Sequence, residues 1–273
     1  MRRLVILLFL SCSSPAAKND LPAHPDSRTT TGYWTPPDTS RIPNSAEGSL
    51  IRYGRELIAN TSFYLGPGGK IASISNGMNC QNCHLDAGTR PWGNNYSGVF
   101  STYPKYRDRS GTVESIYKRI NDCLERSLDG KPLDTTGREA RAIYAYIKWL
   151  GQTVPGGVRP PGAGISTLPC ADRAADTIKG EIVYRGKCQR CHGQQGAGVW
   201  SADSNRYIYP PLWGTHSYNT GAGLFRLSRL AGYVKDNMPF GAASHAVPQL
   251  TDTEAWDVAA FINSRPRPQK TFT

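Results

Sequence analysis

Three methionines, five histidines and no apolar stretch of membrane-spanning length mark this 273-residue sequence as much by shortage as by content. A helix that crosses a bilayer needs about 20 consecutive apolar residues. The longest apolar run here covers only residues 4–10. Acidic side chains are also scarce, 21 against 32 lysines and arginines, which leaves a formal charge of +11. Such an excess can serve nucleic acid, a membrane surface, small anions or plain solubility, and local arginine placement has to decide among them. The few histidines and methionines reduce any search for metal ligands to elimination.

The start MRRLVILLFLSC sets Arg2 and Arg3 before the apolar run, the pattern of a secretory signal peptide. The mature chain is therefore expected in the periplasm, without a transmembrane helix, and nucleic acid drops out as a partner. FLSC, ending at Cys12, has the form of a bacterial lipoprotein signal, which would make Cys12 a lipidated N-terminus. Ordinary cleavage near Ala17 is the alternative. Residues 13–45 are polar and proline-rich, and are expected to act as a flexible tether or a disordered arm.

Of seven cysteines, four sort at once. Cys80, Cys83 and His84 in CQNCH, and Cys188, Cys191 and His192 in CQRCH, each form a CxxCH. This is the attachment signal of c-type haem, with two thioethers to the porphyrin and the adjacent histidine as proximal iron ligand. A single copy can belong to a zinc or redox site; two in one exported chain point to a dihaem cytochrome c.

The setting of the motifs repeats too. Before the first, SLIRYGRELIA carries Leu50, Tyr53, Leu57 and Ile58 at helical spacing. After it, TTGREARAIYAYIKWLG offers Thr136 and Glu139 as a capping box, then Ile143, Tyr144, Ile147 and Leu150. The second copy has ADTIKGEIVYRGK before its motif and TDTEAWDVAAFINS after it, with Thr251 and Glu254 as another capping box ahead of Val258, Phe261 and Ile262. Residues 151–169, rich in glycine and proline, read as a linker. The expected fold is all-α, two tandem cytochrome c domains at residues 46–152 and 170–268 joined by residues 153–169.

Each iron still needs a sixth ligand, and its identity separates electron carrier from catalyst. For the second haem, Met238 in DNMPFG lies well downstream of His192 and just before Pro239, where a loop can turn it onto the iron; His245 and His216 are the alternatives. For the first, Met78 is too close to Cys80 to reach the distal face, and no methionine or histidine stands between Leu85 and the linker. Cys123 remains as a strong ligand.

The surroundings of Cys123 fit that role. Val113, Ile116, Tyr117, Ile120, Leu124 and Leu128 recur at steps of three and four, an apolar stripe with Cys123 at its edge. Arg119 and Ser127 lie four residues to either side of it, hence on its face, with Arg126 just beyond. A buried structural thiol, or a disulfide with Cys170, is the alternative in an oxidising compartment.

YRDRSGTVESIYKRINDCLERSLDGKPL, following MNCQNCHLDAG and joined to DRAAD, CQRCHG, NMPFG and LTDTEAWDVAAFINSRPRP, resembles the dihaem thiosulfate dehydrogenases over nearly all of the chain beyond residue 45. The resemblance implies interconversion of thiosulfate and tetrathionate at a haem ligated by His84 and Cys123. It further implies a His192/Met238 electron-transfer haem and an anion site of Arg109, Arg119 and Ser127. A small periplasmic cytochrome or copper protein would be the electron acceptor. Some relatives carry a lysine beside the distal methionine; Asn237 stands there here, so a lysine ligand switch is not expected. Two other readings stay open: a dihaem carrier in which Cys123 only tunes potential, and a haem-thiolate sulfur carrier working with a separate partner.

Overall fold

Two helices cross ahead of and behind each CxxCH, and a glycine sits at each crossing. The computed structural model describes residues 32–201 and 206–270; the signal segment, Cys12 and His24 lie outside them. In the first half, α1 (Ala46–Ala59) packs on α3 (Arg138–Gly151), with α2 (Ile116–Arg126) between them in sequence. In the second, α4 (Thr177–Lys187) packs on α6 (Asp252–Asn263), and α5 (Leu227–Asn237) also packs on α6. A Cβ on Gly54 would lie 2.0 Å from the carbonyl oxygen of Ala142, and one on Gly180 2.0 Å from that of Asp257. Only glycine lets the two backbones approach so closely.

The helices follow the apolar spacing. Ile51, Gly54, Leu57 and Ile58 are the buried face of α1, with Leu50 and Tyr53 half-buried beside it. Ile143, Ile147 and Leu150 of α3, and Val258, Phe261 and Ile262 of α6, are buried as expected. Thr251 and Glu254 form the expected reciprocal cap of α6. Thr136 does not cap α3: the helix begins at Arg138 behind Gly137, while the Thr136 hydroxyl donates to Asp134 and Glu139 accepts from the Tyr53 hydroxyl at 3.0 Å.

Beside the helices stand two short antiparallel pairs. β1 (Lys105–Arg107) pairs with β2 (Thr112–Glu114), and β3 (Val199–Ser201) with β4 (Arg206–Tyr209). The first removes Val113 from the stripe of α2: it lies in β2, 67 % exposed, and the helix starts only after Ser115, whose side chain accepts from the N–H of Lys118.

From Tyr33 onward the described chain forms one compact unit. Ile42 is buried, and Trp34 donates its N–H to Pro161 at 2.9 Å, so residues 33–45 pack on the body rather than hanging free. The 153–169 connection packs as well. Trp92 and Asn94 donate to Gly162 and Gly164 at 2.8 Å each, and Ala163 and Ile165 are buried. Glycine and proline keep this segment out of helix, but its backbone polar groups find partners in the first half. Across the halves, Cys83 and Leu85 belong to the same apolar cluster as Tyr184, Tyr233 and Phe261. No helix among the described residues is long and apolar enough to cross a membrane.

Candidate functional site

The first CxxCH sits in a short turn, Cys80–Asn82, locked by side chains. Thr61 Oγ1 accepts from the N–H of Cys80 at 2.9 Å, and Asn82 Oδ1 accepts from that of Asn79 at 2.7 Å. His84 follows, with Nδ1 2.5 Å from the carbonyl oxygen of Asn94 and its ring stacked on Tyr96. A carbonyl oxygen only accepts, so Nδ1 carries the proton and the Nε2 lone pair is free for a metal. Burial pulls the His84 pKa down to about 4, which keeps the ring neutral, as a ligand must be. Burial pushes the thiols of Cys80 and Cys83 up to about 11 and about 12. They are not poised as thiolate nucleophiles.

These residues line a cavity of about 370 Å³. Ile58, Leu65, Ile120, Leu124, Ile143 and Ile147 supply its apolar wall, and Cys123 of α2 faces it from the same helix as Ile120 and Leu124. Cys123 is half-buried, in no disulfide and on the cavity lining; Cys170 lies on the surface.

The predicted anion residues divide. Arg119 and Ser127 line the cavity, and the N–H of Ser127 donates to the Cys123 carbonyl at 2.8 Å. The electrostatic influence of the neighbouring Cys123 sulfur raises the Arg119 pKa, against the opposing effect of burial. Arg109 is not part of the lining. Its guanidinium donates to the carbonyl oxygen of Gly221 in the second half, and burial lowers its pKa to about 10, helped by Arg226, Arg126, Arg119 and Arg107. Arg126 turns to Asp122, at 3.5 Å. Sequence reasoning missed four further cations on the lining: Lys105, Arg107, Arg159 and Arg229. Lys105 and Arg107 share one face of β1, an alternation visible in the sequence, whereas nothing in the sequence connects Arg159 or Arg229 to Cys123.

The second motif closes in the turn Gln189–His192. His192 donates from Nδ1 to Pro210 at 2.8 Å, and its pKa is lowered by burial, so it presents the same neutral, Nδ1-protonated ring as His84. Burial likewise pushes Cys188 to about 12. Met238, directly after α5, packs, as Cys188 does, on the cluster that holds Tyr184 and Trp213. His216 is exposed, and His245 is hydrogen-bonded to Asp236 at 3.0 Å and lies against Trp92. Asn237 is buried and donates to the carbonyl oxygens of Trp92 and Tyr233 at 3.1 and 2.9 Å.

Among the described residues no group of three or more His, Cys, Asp or Glu gathers to hold a bare metal ion. A pair of cysteines beside a fixed, neutral imidazole on an apolar wall suits a porphyrin instead. Two such sites in one helical chain define a dihaem c-type cytochrome, and its first site adds a thiol and a group of cations.

Comparison with known proteins narrows this further. The family described as SoxA/TsdA, cytochrome c domain, matches residues 70–155, and the cytochrome c family matches residues 178–266. The chain is 39 % identical over 238 residues to a thiosulfate dehydrogenase of Allochromatium vinosum, covering 86 % of this chain and 84 % of that one. It is 34 % identical to one of Psychrobacter arcticus, over 96 % and 79 % of the two chains. The solved thiosulfate dehydrogenase TsdBA of Marichromatium purpuratum superposes with a TM-score of 0.80 at 32 % identity, over 87 % of this chain and 50 % of its own. The chain thus spans half the length of that protein. It belongs to the thiosulfate dehydrogenase family, and carries two c-type haems.

Proposed function

We propose that the protein joins two thiosulfates into tetrathionate in the periplasm, in a reaction that can also run backwards. It passes the two electrons to a small cytochrome or copper protein. The observation that carries this reading is that Cys123 and Arg119 share one cavity with the first CxxCH. His84 and Cys123 would hold the iron of the first haem, and His192 and Met238 that of the second. Bound at the two motifs, the haems supply two one-electron acceptors, matching the two electrons released when the outer sulfurs of two thiosulfates bond. Export follows the N-terminal segment, with the chain anchored or free according to how Cys12 is processed.

The residues answer the electrostatic problem. Two dianions 4 Å apart repel by about 4 kcal/mol even at the dielectric constant of water, and by more in a partly buried site. Arg119, on the face of Cys123, offers a planar fork to a sulfonate, a charge-assisted contact that a lysine would not reproduce in geometry. Ser127 adds a hydroxyl one turn beyond, and Arg109 adds positive potential from the edge.

Cys123 can also act as nucleophile. Its thiolate would bond the outer sulfur of one thiosulfate to give Cys–S–S–SO3⁻ with release of two electrons. Attack of the second thiosulfate on that sulfur would then expel the thiolate and free tetrathionate, so charge and atoms balance at each step.

The test is anaerobic turnover of haem-loaded protein with thiosulfate and an artificial one-electron acceptor, tetrathionate being quantified, with Cys123→Ala alongside. One tetrathionate per two electrons, lost in the variant, is the expected result. Absence of turnover in the native protein would overturn the reading in favour of a pure electron carrier.

A further inference from the structure

We propose that Arg229, carried by α5 in the second half, and Arg159, carried by the 153–169 connection, form a seat for an anionic oxygen group at the mouth of the first cavity. The second half thereby completes the first site. This rests on the proposed function for the identity of one of the two anions considered below.

The cavity lining holds five cationic side chains, Lys105, Arg107, Arg119, Arg159 and Arg229, and no aspartate or glutamate. Two buried carboxylates stand behind it: Glu114, which reaches Arg107 at 3.8 Å, and Asp122, which pairs with Lys118 and Arg126 and also acts on Arg119; neither pairs with Arg159 or Arg229. Arg159 is steered by a single hydrogen bond, Nη2 to the Ala163 carbonyl oxygen at 2.8 Å, which leaves most of its donors free. Arg229 is half-buried, and among the described residues its side chain has no hydrogen bond and no ion pair. Arg107, Arg119 and Arg229 are half-buried while Lys105 and Arg159 are exposed, so the group draws an anion to its partly desolvated members. Burial, and the charges of Arg159, Arg226, Arg107 and Arg119, lower the Arg229 pKa, the mark of a guanidinium that lacks its counter-ion.

Two sources can provide the oxygen anion. One is the sulfonate of thiosulfate: joining two dianions requires two places to hold them, and Arg119 beside Cys123 accounts for one. The other is a carboxylate of the first haem. Both ask the same of Arg159 and Arg229, a fork of N–H donors and a positive charge. In either case the contact crosses between the halves, because α5 also packs on the helices of the second.

The experiment uses the haem-loaded protein with Arg229→Gln, Arg159→Gln and Arg229→Lys. Three quantities are read: KM and kcat for thiosulfate, the two midpoint potentials, and equilibrium binding of sulfate as an unreactive dianion. A sulfonate seat predicts that each Gln variant raises KM about tenfold or more, changes kcat by less than threefold and weakens sulfate binding in parallel, with both potentials in place. A haem-carboxylate seat predicts that one potential falls while KM and sulfate binding hold. Arg229→Lys should recover part of the effect in either case. If KM, sulfate binding and both potentials are all unchanged in the Gln variants, the seat does not exist. A native protein without thiosulfate turnover would sink the proposed function alone, since the potentials and sulfate binding would still report on the seat.

Discussion

The hydroxyl of Tyr233 donates to the carbonyl oxygen of Asn82 at 2.8 Å, tying α5 to the residue directly before Cys83. The backbone that carries one haem attachment is thus held by the helix that ends at the ligand proposed for the other. Tyr233→Phe removes the donor and leaves the ring in place. The expected loss is about 1–2 kcal/mol of stability, read as a lower denaturant midpoint with an unchanged slope. Slower electron equilibration between the haems, followed by rapid-mixing spectroscopy, should accompany it.

Arg119→Lys tests geometry apart from charge. It keeps the cation on the face of Cys123 but loses the planar fork. A fall in kcat/KM of roughly 10- to 100-fold is expected, equivalent to about 1.4–2.7 kcal/mol of transition-state stabilisation. Steady-state assays at fixed ionic strength would decide; a change under twofold would remove Arg119 from the anion site.

Gly54→Ala and Gly180→Ala each drive a methyl into a facing carbonyl group, and each should cost about 1–3 kcal/mol or more. Gly186, near the end of α4, has open space instead, with no atom within 4 Å of where an alanine methyl would stand. Gly186→Ala should therefore stabilise by about 0.5–1 kcal/mol. The three denaturation midpoints separate close approach from helix propensity.

Acid should loosen the second half through Asp257. Its side chain is buried, yet the paired guanidinium of Arg173, at 2.6 and 3.0 Å, and the N–H of Asp176 outweigh desolvation and hold its pKa below the usual aspartate value. A group with a depressed folded pKa stabilises fully above its unfolded value of about 3.9 and loses that contribution as pH falls through the folded one. Arg173→Gln should move the acid transition of α4 and α6 to higher pH. A transition at the same pH would assign acid sensitivity to other groups.

Much of this could be read from the residues. CxxCH is a covalent requirement, so its spacing is nearly unique, and the helices around it follow apolar periodicity. Helix boundaries were less legible: Val113 fits the period of α2 but pairs across a hairpin, and Thr136 has a capping partner three residues on but spends its hydroxyl on Asp134. Arg119 and Ser127 could be found from Cys123 because one helix face carries all three. Arg159 and Arg229 could not, since their approach to the cavity depends on packing between segments far apart in the chain, for which the sequence has no period.

The 153–169 connection also determines how the protein can be divided. It looks like the place for a cut, yet Gly162 and Gly164 accept from the backbone of the first half, and Arg159 lines the first cavity. Severed there, the N-terminal fragment would keep its haem motif and Cys123 but lose part of its own rim, and Arg229 would leave with the other fragment. The two modules look like beads on a string; in inheritance, and for anyone recombining them, they are a single piece.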